Sequence, residues 1–208
     1  MKTLRWLILA LAAMSLLSCV WSLLPLFEDR YLVSEPGLIG TWKEDGGEDT
    51  WTFEAGEGKA YQLTQRQAEY DLNLGQKTEK RPGDTAVFQV RIGRLGAVLF
   101  LDFYPADNER SMPHNDWLNA HLIPAHTLAR VWLAKDSLKL VFLNEDWVSK
   151  AIEDSRITLA HVKTEGGYVL TAPTAELQAF ILKYADDPKA FPTGSRTDEG
   201  ALELIRAR

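Results

Sequence analysis

From Leu38 onward the chain alternates short apolar runs with clusters of Gly, Pro, Asp and Asn. That punctuation predicts strands over residues 39–44, 50–55, 59–66, 86–92, 97–104, 124–133, 138–143, 157–162 and 168–170. Asp45-Gly46-Gly47 and Gly56-Glu57-Gly58 read as tight hairpin turns, because glycine accepts a positive φ. Phe88, Val90 and Ile92 fall on one face and Gln89 and Arg91 on the other, the two-residue period of a half-buried strand. The next strand differs. Ala97, Leu99, Leu101 and Phe103 are apolar on one side and Val98, Phe100 and Tyr104 on the other, with Asp102 among them. A strand apolar on both faces needs a cover on both; a barrel interior supplies one and a packed helix the other. Many strands joined by short turns in one domain read as an antiparallel barrel or sandwich.

Two segments carry helical spacing instead. Asn144 is placed to cap a short helix with an apolar stripe of Trp147, Val148, Ala151 and Ile152. Over 174–184, Leu177, Phe180, Ile181 and Tyr184 recur at helical intervals, with Thr174 read as the N-cap, Glu176 in the first turn and Asp186-Asp187-Pro188 as the stop. This C-terminal amphipathic helix is expected to pack on the outside of the sheet. Residues 76–84 read as a polar loop and 106–119 as a segment long enough for a flap. Residues 193–208 read as a tail in which Leu202, Leu204 and Ile205 add a short strand or turn.

The first 27 residues break the pattern. Lys2 and Arg5 precede a run from Trp6 to Phe27 whose only non-apolar members are Ser15, Ser18, Ser22 and Pro25. A basic head before a Leu/Ala-rich stretch is the form of a secretory signal. Leu16-Leu17-Ser18-Cys19 resembles the bacterial lipoprotein box, which implies cleavage after residue 18 and lipidation of Cys19. The alternative is an uncleaved anchor over 6–27, long enough as a helix to span a bilayer and oriented with its basic end inside. Plain secretion is the third. The first two agree on an exported domain tied to the membrane on its extracytoplasmic side, in the periplasm or at the cell surface. The expected organisation is a signal over 1–18, a tether over 19–37, a barrel domain with its helix over 38–192, and the tail.

Charge and cysteine content narrow the functions. The chain carries 29 acidic and 23 basic residues, a net charge of −6. Loss of the first 18 residues moves it to −8, because Lys2 and Arg5 leave and no acidic residue does. That balance excludes phosphate neutralisation as the mode of a nucleic-acid binder. Cys19 is the one cysteine, so neither a disulfide scaffold nor a multi-cysteine metal site is available. The exported domain has to stand on its hydrophobic core.

Gly40-Thr41-Trp42, at the start of the first barrel strand, resembles the Gly-x-Trp entry of lipocalins. The resemblance implies an eight-stranded up-and-down barrel, plugged at one end by the Trp, with a C-terminal helix outside. In that family an Arg covers the Trp; no position in this sequence identifies it. A fold alone does not license a function.

Catalytic signatures are missing. The chain has no Gly-x-Ser-x-Gly elbow, no phosphate-cradling Gly loop with Lys-Ser/Thr, and no His-Glu-x-x-His. His121 and His126 flank Pro124 and do not share a helical face, so no metal site is assigned and no cofactor is expected. The remaining chemistry lies on strand faces. His126 shares one with Arg130, Asp102 shares one with Phe100 and Tyr104, and His161 shares one with Ile157 and Leu159. If these faces point into the barrel, Asp102, His126, Arg130 and His161 form a polar cluster that holds a head group, with Asp102 and His126 as acid–base candidates. The same residues read more readily as a satisfied structural network, since a buried Asp102 needs a partner, His126 or Arg130, and no nucleophile accompanies the pair. Among Trp42, Trp51, Trp117, Trp132 and Trp147, Trp42 reads as a core plug and Trp117 as a residue at the mouth of a pocket.

These readings favour a non-enzymatic, membrane-anchored protein that binds a small apolar or amphipathic ligand in an interior cavity of the barrel, of roughly a few hundred Å³. The second is an envelope assembly protein acting through contacts with another envelope protein. The third is a hydrolase or isomerase using Asp102 and His126.

Overall fold

The computed structural model describes residues 20–73, 78–106, 121–193 and 201–207. Its strands are β1 (Trp21–Ser22), β2 (Gly40–Lys43), β3 (Thr50–Ala55), β4 (Ala60–Arg66), β5 (Tyr70–Asn73), β6 (Thr78–Arg81), β7 (Thr85–Leu95), β8 (Val98–Pro105), β9 (His126–Leu133), β10 (Ser137–Phe142), β11 (His161–Thr164), β12 (Gly167–Leu170) and β13 (Ala201–Arg206). Two helices, α1 (Glu145–Glu153) and α2 (Thr174–Tyr184), lie between β10 and β13.

Eight strands close into a barrel in the order β2-β3-β4-β7-β8-β9-β10-β13, with β13 paired back on β2. Every neighbouring pair in the ring is antiparallel. Closure removes the exposed edges that a flat sheet of this size would carry. β1, β12 and β11 form a side sheet on the first two residues of β9: Trp21 pairs with Thr127 and Ser22 with His126, while β12 runs parallel to β1 on its far side. β5 and β6 make a separate hairpin, so part of the segment read as a polar loop is strand.

Two-residue alternation sorts the side chains into two cores. Inside the barrel, Trp42, Phe53, Leu63, Val90, Ile92, Leu101, Leu138, Leu140 and Leu204 are almost wholly buried against one another. An eight-stranded barrel is just wide enough for such side chains to fill it. Outside the wall, Phe100, Leu128 and Val141 share a second core with Leu26, Phe27, Trp147, Val148, Leu177, Phe180 and Ile181. β8 is therefore covered on both faces, as its sequence requires.

One end of the barrel is shut by Trp42, whose indole N–H donates to the Leu38 carbonyl at 2.9 Å. The Arg206 guanidinium lies 4.2 Å from the Trp42 ring centroid and donates to the carbonyls of Gly37, Ile39 and Lys135. Gly40 has to be glycine here: its φ is +132°, and a Cβ would sit 2.4 Å from the Arg206 guanidinium.

Three expectations change. The apolar run read as continuous from Trp6 to Phe27 is divided, because residues 20–27 belong to the folded domain: Trp21–Ser22 is a strand, and Leu26 and Phe27 are core. Residues 201–206, read as part of a tail, supply the strand that completes the ring. Thr174 is not the N-cap of α2; Pro173 holds that place, and the Thr174 hydroxyl donates to the Pro25 carbonyl at 2.8 Å. Asn144 does cap α1, its side chain accepting from the Trp147 N–H at 2.8 Å. Cys19, Trp117 and most of the segment read as a flap lie outside the described residues.

Candidate functional site

Asp102 and His126 meet, on the outer face of the barrel wall rather than within it. β8 and β9 are in register at Asp102↔Leu128 and Phe103↔Thr127, which brings Asp102 and His126 to neighbouring outward positions. The inward positions on the same strands are Leu101, Phe103, Ala129 and Val131. The expectation of a polar cluster inside the barrel is thus corrected by strand parity: the inward set is the apolar one.

The His126 Nδ1–H donates to Asp102 Oδ1 at 2.7 Å, the assignment that an ionised carboxylate requires. Asp102 Oδ2 accepts the backbone N–H of Leu26 at 2.9 Å. Asp102 is 2% exposed, so these bonds replace the water it has lost. The Tyr104 ring stacks on His126 with centroids 4.5 Å apart. From the other side, Gln178 Nε2 donates to the Leu26 carbonyl at 2.8 Å. Both backbone groups of Leu26 are thereby held, one by the barrel wall and one by α2. Asp102 thus joins two elements, Oδ2 holding the N-terminal segment at Leu26 and Oδ1 holding His126 on β9.

Arg130 and His161 are placed elsewhere. Arg130 Nη1 donates to the Ala185 carbonyl at the end of α2 and pairs with Asp186 at 2.9 Å, while its guanidinium lies over Trp132. A cation at a helix C-terminus satisfies the last carbonyls and the helix dipole. His161 Nδ1 bonds the Leu159 carbonyl at 2.7 Å, and its ring meets Tyr168 edge-on. Of the four residues expected to converge, two do.

The concavity best suited to an apolar ligand lies elsewhere. An open cleft of about 620 Å³ runs between the mouth of the barrel and the side sheet. Phe103, Thr127, Trp21, Val169 and Val162 form one in-register row across β8, β9, β1, β12 and β11, and Phe88, Ile123 and Pro124 are among the other lining residues. No lining residue is charged, and Thr127, Thr164 and Thr171 are the polar ones. The cleft exists because β9 changes partner along its length: residues 129–133 pair with β10, but 126 and 127 pair with β1. The side sheet leaves the ring at that point and opens a gap at the mouth. The sequence carried one signal of this site, the apolar pair Leu122-Ile123 in a Pro-containing connection, where it serves no strand. They are 56% and 77% exposed.

The class of molecule defined by these features is a mainly β protein with a closed antiparallel eight-stranded barrel, two helices and an apolar cleft at one end. No protein-family model, curated protein or solved structure matches the chain.

Proposed function

We propose that this is a non-enzymatic, membrane-anchored binding protein with a lipocalin-like barrel, and that it holds a small apolar or amphipathic molecule in the cleft at the barrel mouth. The observation that carries this reading is the cleft itself: about 620 Å³, uncharged, with aromatic walls and three hydroxyls. Ligand pockets occupy roughly 300–1,000 Å³ and are mostly apolar with a few polar groups. The barrel interior, filled by side chains, moves the expected cavity from the bore to the mouth.

The lipocalin-like reading is supported by the plugged end. Gly40-Thr41-Trp42 opens the first ring strand after a 3₁₀ turn, Pro36–Leu38, and Arg206 covers Trp42. Anchoring through Cys19 is supported by the part the fold takes of the apolar run. With 20–27 used by the domain, the run from Trp6 to Cys19 is shorter than the roughly 20 residues a spanning helix needs. Among the described residues no helix is long and apolar enough to cross a membrane.

The test uses the full chain expressed in cells fed a diazirine-bearing fatty acid. After irradiation and purification, the cross-linked lipid is expected on cleft-wall peptides containing residues 123–127 and 162–171. Thr171→Arg and, separately, Val169→Asp should each reduce that yield about tenfold or more by placing an unpaired charge in the cleft. Unchanged yield in both folded variants, or cross-links confined to other faces, overturns the reading.

A further inference from the structure

We propose that the cleft takes its ligand laterally from the bilayer, its lip lying on the membrane surface, and that the ligand is therefore the acyl chain of a membrane lipid. The inference deepens the cleft reading and rests on it.

Four observations converge on one side of the molecule. The first is where the leader joins. Trp21 lines the cleft and Val20 is buried beside it, so Cys19 is two residues from the cleft wall. Two residues span at most about 7 Å. An anchor at Cys19 cannot hold the cleft far from the membrane.

The second is rigidity at that junction. The segment just past Trp21 has no slack: Ser22 pairs with His126, and Leu26 is held by Asp102 and Gln178. Thr174 donates to the Pro25 carbonyl. The anchor consequently sets the orientation of the whole barrel, as a flexible tether would not.

The third is the lip. Ile123 is 77% exposed, Val162 53% and Leu23 40%, and all three also line the cleft. Leu122, beside Ile123, is 56% exposed. Apolar side chains grouped at an opening mark an interaction surface. The fourth is charge. A domain carrying −8 without the leader has no electrostatic attraction to anionic lipid, so contact with a bilayer has to be made by apolar side chains such as these. An uncharged cleft with its greasy lip at the anchor point suits an acyl chain that never crosses water.

The experiment places a fluorophore on the lip. Full-length chains carrying Ile123→Cys, Val162→Cys or Lys135→Cys are labelled with an environment-sensitive thiol dye and reconstituted in phosphatidylcholine vesicles doped with nitroxide-acyl lipid. Lys135 follows the far end of β9, about 25 Å along the strand from its start beside the cleft. The labels at 123 and 162 are expected to be quenched at least about twofold more than the label at 135. Equal quenching at all three positions overturns lateral loading. Thr171→Arg, added to the labelled chains, separates the two ideas. Loss of retained lipid with lip quenching intact supports both. Retained lipid without lip quenching overturns the membrane contact alone. Lip quenching with cross-linking that Thr171→Arg leaves unchanged sinks the cleft reading, and lateral loading with it.

Discussion

Asp102 is a carboxylate buried between the barrel wall and the layer outside it, and its cost of burial is offset by two bonds of the charged form, from His126 and from the Leu26 N–H. Asp102→Ala leaves that backbone N–H without its acceptor and the imidazole without its partner. We expect a loss of about 3 kcal/mol in stability, and less for Asp102→Asn, which keeps one acceptor. Urea melts of the two variants measure this, and the folded fraction should keep the parent's cross-linking yield in the cleft. Intact stability with lost function would instead restore the acid–base role for the pair. The sequence identified Asp102 and its need for a partner, with His126 and Arg130 both open, but the other donor is a backbone amide 76 positions away, which no side-chain pattern reveals.

At the scale of elements, the N-terminal segment crosses the outer face of β7 only because one position there has no side chain. A Cβ on Gly93 would fall 2.5 Å from the Phe27 ring, so Phe27 occupies the space a side chain would take. Gly93→Ala has to move that ring or the strand. The expected outcome is a loss of about 1–3 kcal/mol, as for overpacking of a core, and faster proteolysis of residues 20–35. Limited digestion followed by mass spectrometry checks both; a variant as resistant as the parent would show that Phe27 has another seat. Strands and helices were legible in the sequence because their signals are local. The helix at 174–184 matches its predicted bounds, and the strand at 50–55 does also. The hairpin of β5 and β6 was not predicted, since the alternation of Tyr70 and Leu72 with Asp71 and Asn73 is too short to establish a period and Thr78–Arg81 contains no apolar residue.

At the scale of the molecule, closure depends on the last described strand. β13 lies between β10 and β2, so removing residues 201–208 opens two edges and exposes Leu140 and Trp42 from the interior. Such a chain is expected to aggregate rather than remain a smaller barrel, which size-exclusion chromatography and light scattering detect. A monodisperse truncated domain would contradict the closed ring.

The amino-acid sequence by itself determined the mainly β composition of the fold, the two amphipathic helices and the need of a buried Asp102 for a partner, His126 or Arg130, because each follows from spacing or from the chemistry of a single side chain; the Trp42 plug was implied by the resemblance of Gly40-Thr41-Trp42 to the lipocalin entry. The tertiary structure alone decided which strand face turns inward, that Arg206 covers Trp42, that Arg130 serves α2, and that β9 divides its pairing between β10 and β1 to open the cleft. These are contacts between segments up to 169 residues apart. Their register is set by closing the ring, and closure is a property of all eight strands together.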